Sequence, residues 1–153
     1  MLRQRLPLVG HPESTLPAPI PGYERTKSLN LRVVVADDNV DAAETLTMLL
    51  ESLGCAVRTA HGGAAAVREV LACQPHVVLM DLGMPDVDGY EACRSIRGAG
   101  IRTSIVALTG WGQDEDRRRT ALAGFNAHLV KPVAPQALID LLKTYASAAG
   151  LSI

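Results

Sequence analysis

Asp37-Asp38, Asp81, Thr109 and Lys131 are side chains of the kinds that handle phosphate and its counter-ions, and each closes an apolar run. The plainest case is "HVVLMDLGMPDVDGY", residues 76–90, in which a run fit for a buried strand ends on Asp81 and turns at once through Gly83, Met84 and Pro85. An acid that closes an apolar run is costly unless it is exposed or paired. Carboxylates gathered together repel one another, so a positive charge belongs among them. Hard oxygen ligands at this density suit Mg²⁺, which binds through one or two carboxylates and keeps several waters. Beside such an ion, Thr109 and Lys131 supply donors to a phosphoryl group, and Asp81 is suited to act as a nucleophile toward phosphorus. The cation and the ammonium then neutralise charge that spreads over the phosphoryl oxygens during transfer. The backbone carbonyl of Gly83 is a further candidate metal ligand, and Gly110 leaves open space beside Thr109.

Taken singly, these residues have plainer readings. Asp37-Asp38 before a helix can be capping and dipole acids, Thr109 an ordinary strand residue, and Lys131 a solvated charge before a turn. Their shared position at the ends of apolar runs is what distinguishes them.

The elements that must position them are legible as an alternation. "LRVVVAD" is β-branched and apolar throughout, as in a strand covered on both faces, and Leu46, Leu49, Leu50 and Leu53 then repeat at helical spacing up to Gly54, where a C′ glycine is expected. "CAVRTA" reads as a short second strand, and Gly62-Gly63 opens a helix through Val67 and Leu71. "HVVLMD" is the third strand, with Asp88 as cap of a helix running to about Arg97. "TSIVALT" is the fourth, followed by a helix over residues 114–123 that Gly124 ends, and "AHLV" is the fifth. Pro135 suits the first turn of a last helix with Leu138, Leu141, Leu142 and Tyr145 on one face. Strands alternating with helices over short connections imply an α/β parallel sheet covered on both faces. In such sheets ligands bind beyond the carboxyl ends of the strands, which is where the acids, threonine and lysine fall.

The chain has 153 residues, 20% charged, with a formal net charge of −1. That suits one domain with a real core and gives no sign of a nucleic-acid groove or a polybasic membrane patch. No apolar run approaches the roughly 20 residues needed to cross a bilayer. Cys55, Cys73 and Cys93 show no CxxC spacing and read as free, buried thiols of a cytoplasmic protein. His11, His61 and His76 are scattered without metal spacing, and Met80 and Met84 read as packing residues. "DEDRRR", 114–119, reads as acids at a helix start followed by a solvated basic face. Residues 1–30 differ from the rest: they hold Pro7, Pro12, Pro17, Pro19 and Pro21 of the nine prolines and read as an extended linker without its own core.

With these residues in view, the chain resembles the receiver domain of two-component response regulators over residues 31–148. "VVVADDNVDAAETL" is similar to that family's acidic-pair segment, and "VVLMDLGMPDVDGYE" to its phospho-acceptor segment, with the D-x-x-M-P-x-x-D-G frame intact. "IVALTG" matches the switch threonine followed by a small residue, and "HLVKP" the lysine-proline signature. The resemblance implies a flavodoxin-like (βα)5 fold with strand order 2-1-3-4-5, and a cis peptide between Lys131 and Pro132. It implies Mg²⁺ held by Asp37, Asp38, Asp81 and the Gly83 carbonyl. It also implies phosphoryl transfer to Asp81 from a phosphohistidine on a histidine kinase or histidine phosphotransfer protein. Thr109 and Lys131 then engage the phosphoryl group, and the face made by helix four, strand five and helix five reads out the state and can pair two copies. One departure stands out: the family's switch aromatic falls on His128, a polar residue. Trp111, two residues past Thr109, is expected to shield the phosphoryl group from water.

Rival readings are weaker. A phosphatase of the haloacid dehalogenase type needs a second acid two residues after its nucleophile, where this chain has Gly83, and cap insertions for which there is no room. A nucleotide-binding module needs a glycine-rich phosphate loop, and neither G-x-x-x-x-G-K-[ST] nor a G-x-G-x-x-G after strand one occurs. A docking-only pseudo-receiver is disfavoured by the intact acids, threonine and lysine. "LRQRLPL" together with the Pro-rich segment is similar to the end of a kinase ATP-binding domain and its linker, which suggests a receiver from a hybrid histidine kinase. Residues 149–153 form a short tail after the last helix, so output is expected through a protein contact, a phosphoryl relay or feedback onto a kinase.

Overall fold

A computed structural model describes residues 29–110 and 114–150. Strands and helices alternate: β1 (Arg32–Ala36), α1 (Val40–Ser52), β2 (Ala56–Ala60), α2 (Gly63–Cys73), β3 (Val77–Asp81), α3 (Gly89–Gly98), β4 (Ser104–Thr109), α4 (Asp114–Ala123), β5 (Ala127–Val130) and α5 (Pro135–Ala148). All strand pairs are parallel, in the order β2-β1-β3-β4-β5. This is the flavodoxin-like arrangement, with its switch point between β1 and β3.

The two faces of the sheet follow from the period of two along each strand. Val33 and Val35 join Leu79, Val106 and Leu108 on one face, beneath Leu46 and Leu50 of α1 and Leu138 and Leu142 of α5. Val34 and Ala36 join Val78, Met80, Ile105 and Ala107 on the other, beneath Ala66 and Val70 of α2 and Ile96 of α3. Each large side chain so buried contributes about 1.5–3 kcal/mol, which is why strands covered on both faces are apolar without alternation. Met80 and Met84 are buried among these groups.

Helix ends follow local chemistry. The Asn39 side chain accepts from Ala42 N and starts α1, and Asp88 Oδ1 accepts from Glu91 N at 2.9 Å and starts α3. Gly54 and Gly124 take positive φ (89° and 108°) immediately past α1 and α4, a conformation open to glycine and strained for other residues. Pro135 sits in the first turn of α5.

Three details differ from the pattern read in the sequence. The buried stripe of α2 runs through Ala66 and Val70, and Leu71 is 45% exposed. Cys73, at the C-terminal end of α2, is only half-buried, whereas Cys55 and Cys93 are buried. The basic face of α4 is not merely solvated. The Arg119 guanidinium lies 4.0 Å from the centroid of the Tyr90 ring, which itself meets Phe125 edge-on. Lower on the same side, Arg97 donates to the carbonyls of Gly124, Ile101 and Thr103 and to Asn126 Oδ1, tying the end of α4 to the entry of β4.

Candidate functional site

Register brings the strand ends into line. Ala36 pairs with Met80 and Asp81 with Leu108, so Asp37 and Thr109 each lie one step past a paired position beside Asp81. Thr109 pairs with Val130, and the Lys131 N–H donates to the Thr109 carbonyl at 2.7 Å. The strands deliver Asp37, Asp81, Thr109 and Lys131 to one edge of the sheet. Asp38 follows from the same turn.

There the carboxylates of Asp37, Asp38 and Asp81 offer ligand oxygens that all lie within 4.8 Å of one another. Asp37, Asp81 and Thr109 are buried, while Asp38 is exposed. Lys131 Nζ reaches between the two buried acids, 3.1 Å from Asp37 Oδ2 and 3.2 Å from Asp81 Oδ1. Burial disfavours its charged form, but contact with Asp37 and the negative field of Asp81 outweigh this and hold the ammonium above the ordinary lysine value. Asp37 Oδ1 accepts from the Asn39 N–H at 2.9 Å, and Asp81 Oδ1 from the Gly83 N–H at 3.3 Å.

Asp37 Oδ2 is sealed from solvent. It lies within ion-pair distance of the ammonium, yet no donor is aligned with it as a hydrogen bond. A buried carboxylate oxygen left in that state is costly. With two further carboxylates alongside, the oxygen-only donor set fits a hard divalent cation such as Mg²⁺.

Glycines make the site compact. A Cβ on Gly89 would lie 2.5 Å from the Asp81 carbonyl oxygen, and one on Gly63 would run into the Val87 carbonyl, so both positions require hydrogen. The Lys131–Pro132 peptide is cis. His128 pairs with Ala107 on β4, half-buried on the sheet face that carries α3. Trp111 lies outside the described residues.

Sequence spacing gave no reason to include His61. It follows β2, and its Nδ1 lies 3.2 Å from the carbonyl oxygen of Asp37. Once β2 is known to pair with β1 in parallel register, its end falls beside the acidic pair, and that was the available signal.

A strand-end acidic cluster bridged by a lysine, on a 2-1-3-4-5 parallel sheet, defines a flavodoxin-like α/β domain with a polar site at the carboxyl edge of its strands. The response regulator receiver domain family matches residues 33–143, and the chain belongs to that family. Among its relatives, Response regulator MprA of Mycobacterium tuberculosis is 32% identical over 75% of this chain, which spans only half of that protein. The receiver domain of sensor histidine kinase PA1611 from Pseudomonas aeruginosa has a solved structure with a magnesium ion coordinated in its active site cleft. It is 32% identical to this chain with a TM-score of 0.71, covering 77% of this chain and 98% of that one. The receiver domain of the Saccharomyces cerevisiae response regulator Ssk1, solved with the histidine phosphotransfer protein Ypd1, is 28% identical with a TM-score of 0.74, covering 80% of this chain and 92% of that one. Among the described residues no helix is long and apolar enough to cross a membrane.

Proposed function

We propose that this chain is a working phospho-acceptor of a two-component phosphorelay in the cytoplasm. The carrying observation is the Lys131 ammonium bridging Asp37 and Asp81 at the edge of the sheet, with Asp38 and Thr109 brought to the same edge. A carboxylate oxygen of Asp81 attacks the phosphorus of a phosphohistidine on a histidine kinase or histidine phosphotransfer protein. The O–P bond forms as the N–P bond breaks, and the imidazole leaves with the electron pair and takes up a proton. Asp37, Asp38, Asp81 and the Gly83 carbonyl would hold Mg²⁺, which when bound would neutralise charge on the phosphoryl oxygens. Lys131 exchanges its carboxylate partners for a phosphoryl oxygen, and Thr109 donates its hydroxyl to another. These contacts exist only in the phosphorylated state, so they shift a two-state equilibrium at the α4–β5–α5 face. Leu122 on α4 and Val130 on β5 are exposed apolar residues that suit that face as a docking or dimer surface. His128 replaces an aromatic in this switch. The likeness to the PA1611 receiver supports an origin in, or kinship with, a hybrid histidine kinase, with residues 1–30 as linker.

The test is a titration with Mg²⁺ and then beryllofluoride, a phosphoryl mimic, followed by the fluorescence of Trp111, alongside an Asp81→Asn control. A beryllofluoride response that Asp81→Asn abolishes is the expected result. Metal binding without that response would overturn the phospho-acceptor reading in favour of a domain kept only for docking.

A further inference from the structure

Asp38 is the exposed member of the acidic cluster, and it follows a residue, Asp37, that is held from several sides. The Asp37 N–H donates to the Ala60 carbonyl at 3.0 Å, continuing the β1–β2 ladder, and Asp37 Oδ1 accepts from the Asn39 N–H at 2.9 Å. The next peptide unit joins Asp37 to Asp38, and its carbonyl, that of Asp37, faces His61 Nδ1 at 3.2 Å. A carbonyl oxygen can only accept, so this contact requires the proton on Nδ1 and fixes the tautomer. The Asp37 carbonyl belongs to the peptide plane that leads into Asp38. Fixing its direction limits where the Asp38 Cα–Cβ bond can point.

We infer that His61 is a positioning residue of the cation site: its Nδ1–H, donated to the Asp37 carbonyl, holds the Asp37–Asp38 peptide in the orientation that presents the Asp38 carboxylate to Mg²⁺. This rests on the reading of the acidic cluster as a Mg²⁺ site. His61 touches no proposed ligand oxygen of the ion; it acts through the backbone. Such supporting hydrogen bonds typically change metal affinity by about 10–100-fold when lost. A partly exposed bond of this length belongs at the low end of that range. The geometry also makes the requirement specific. The asparagine Nδ2 hangs from Cγ as the histidine Nδ1 does, so His61→Asn can donate to the same carbonyl, whereas His61→Leu fills similar space and cannot.

The experiment measures the Mg²⁺ dissociation constant of the full chain by calorimetric titration for the wild type, His61→Leu and His61→Asn, with the thermal midpoint recorded to establish that each is folded. The expected result is a Kd raised about tenfold in His61→Leu and within about twofold of the wild type in His61→Asn. Equal constants in all three would overturn the inference, as would equal losses in both variants, which would assign the effect to the ring and not to the donor. Either failure leaves the phospho-acceptor reading standing, since that is decided by the beryllofluoride response at Asp81. A wild type that binds no Mg²⁺ would overturn both.

Discussion

Lys131 Nζ stands 3.2 Å from Asp81 Oδ1 and 3.1 Å from Asp37 Oδ2, so one ammonium bridges two buried carboxylates. Removing one partner from a buried ion pair leaves uncompensated charge. Lys131→Met is therefore expected to lower the unfolding free energy by about 1–3 kcal/mol, a discounted figure because the lysine is partly exposed. On the proposed site Mg²⁺ would restore positive charge to the same acids, so saturating Mg²⁺ should raise the thermal midpoint more in the variant than in the wild type. Thermal unfolding with and without Mg²⁺ checks both, and equal shifts would count against the charge argument.

The backbone of Gly89 presses on the carbonyl of Asp81, and the atoms a methyl would meet are backbone with no freedom to move aside. Gly89→Ala is expected to destabilise by about 1–3 kcal/mol, as overpacking does. It should also weaken Mg²⁺ binding, because it displaces Asp81. Gly98→Ala, at the far end of the same helix, where the added carbon meets nothing within 4 Å, serves as the control and should lower neither. Urea unfolding midpoints decide.

His76 Nδ1 accepts the Arg32 N–H at 2.9 Å at the entry of the sheet, so that nitrogen must be unprotonated. Burial and then the Arg32 guanidinium lower its pKa from the ordinary 6.5. The unfolded chain thus takes up this proton first as the pH falls. The contribution is whole above about pH 6.5 and is lost on going down toward the lowered folded value, by at most about 1.4 kcal/mol per pH unit. His76→Asn, which can still accept the bond but does not titrate, should show a flatter fall of the urea midpoint between pH 6.5 and 5. Parallel curves would refute this.

Burial pushes the thiols of Cys55 and Cys93 up to about 11. Cys93 also donates to the Ala123 carbonyl at 3.3 Å. A thiol-modifying reagent at pH 8 should label the half-buried Cys73 first and reach the other two only as fast as the chain opens. Unfolded thiols ionise near 9 and these near 11, so stability is present below pH 9 and is lost as pH rises through that interval. Peptide mapping of the labelled sites over time checks the order, and simultaneous labelling would defeat the prediction.

Much of this molecule was legible in its sequence. The strands of a doubly covered sheet are apolar throughout, so β1, β3 and β4 announce themselves. Asp37, Asp38, Asp81, Thr109 and Lys131 were identifiable because each closes such a run. Helix limits were equally local, resting on Asp88, Gly54, Gly124 and Pro135, each of which acts within a turn of its own position. What a linear reading lacked was lateral neighbourhood. His61 looked like a scattered histidine, and Arg119 like a solvated charge.

The sequence by itself determined the element types and the acids, hydroxyl and ammonium at the strand ends, because periodicity and capping depend on residues within a few positions of one another. Only the tertiary structure decided that Lys131 bridges Asp37 and Asp81, that His61 reaches the Asp37 carbonyl, and that Arg119 lies on Tyr90. Those contacts join residues from separate elements, and their distances are fixed by parallel strand register and helix packing, which no local pattern encodes.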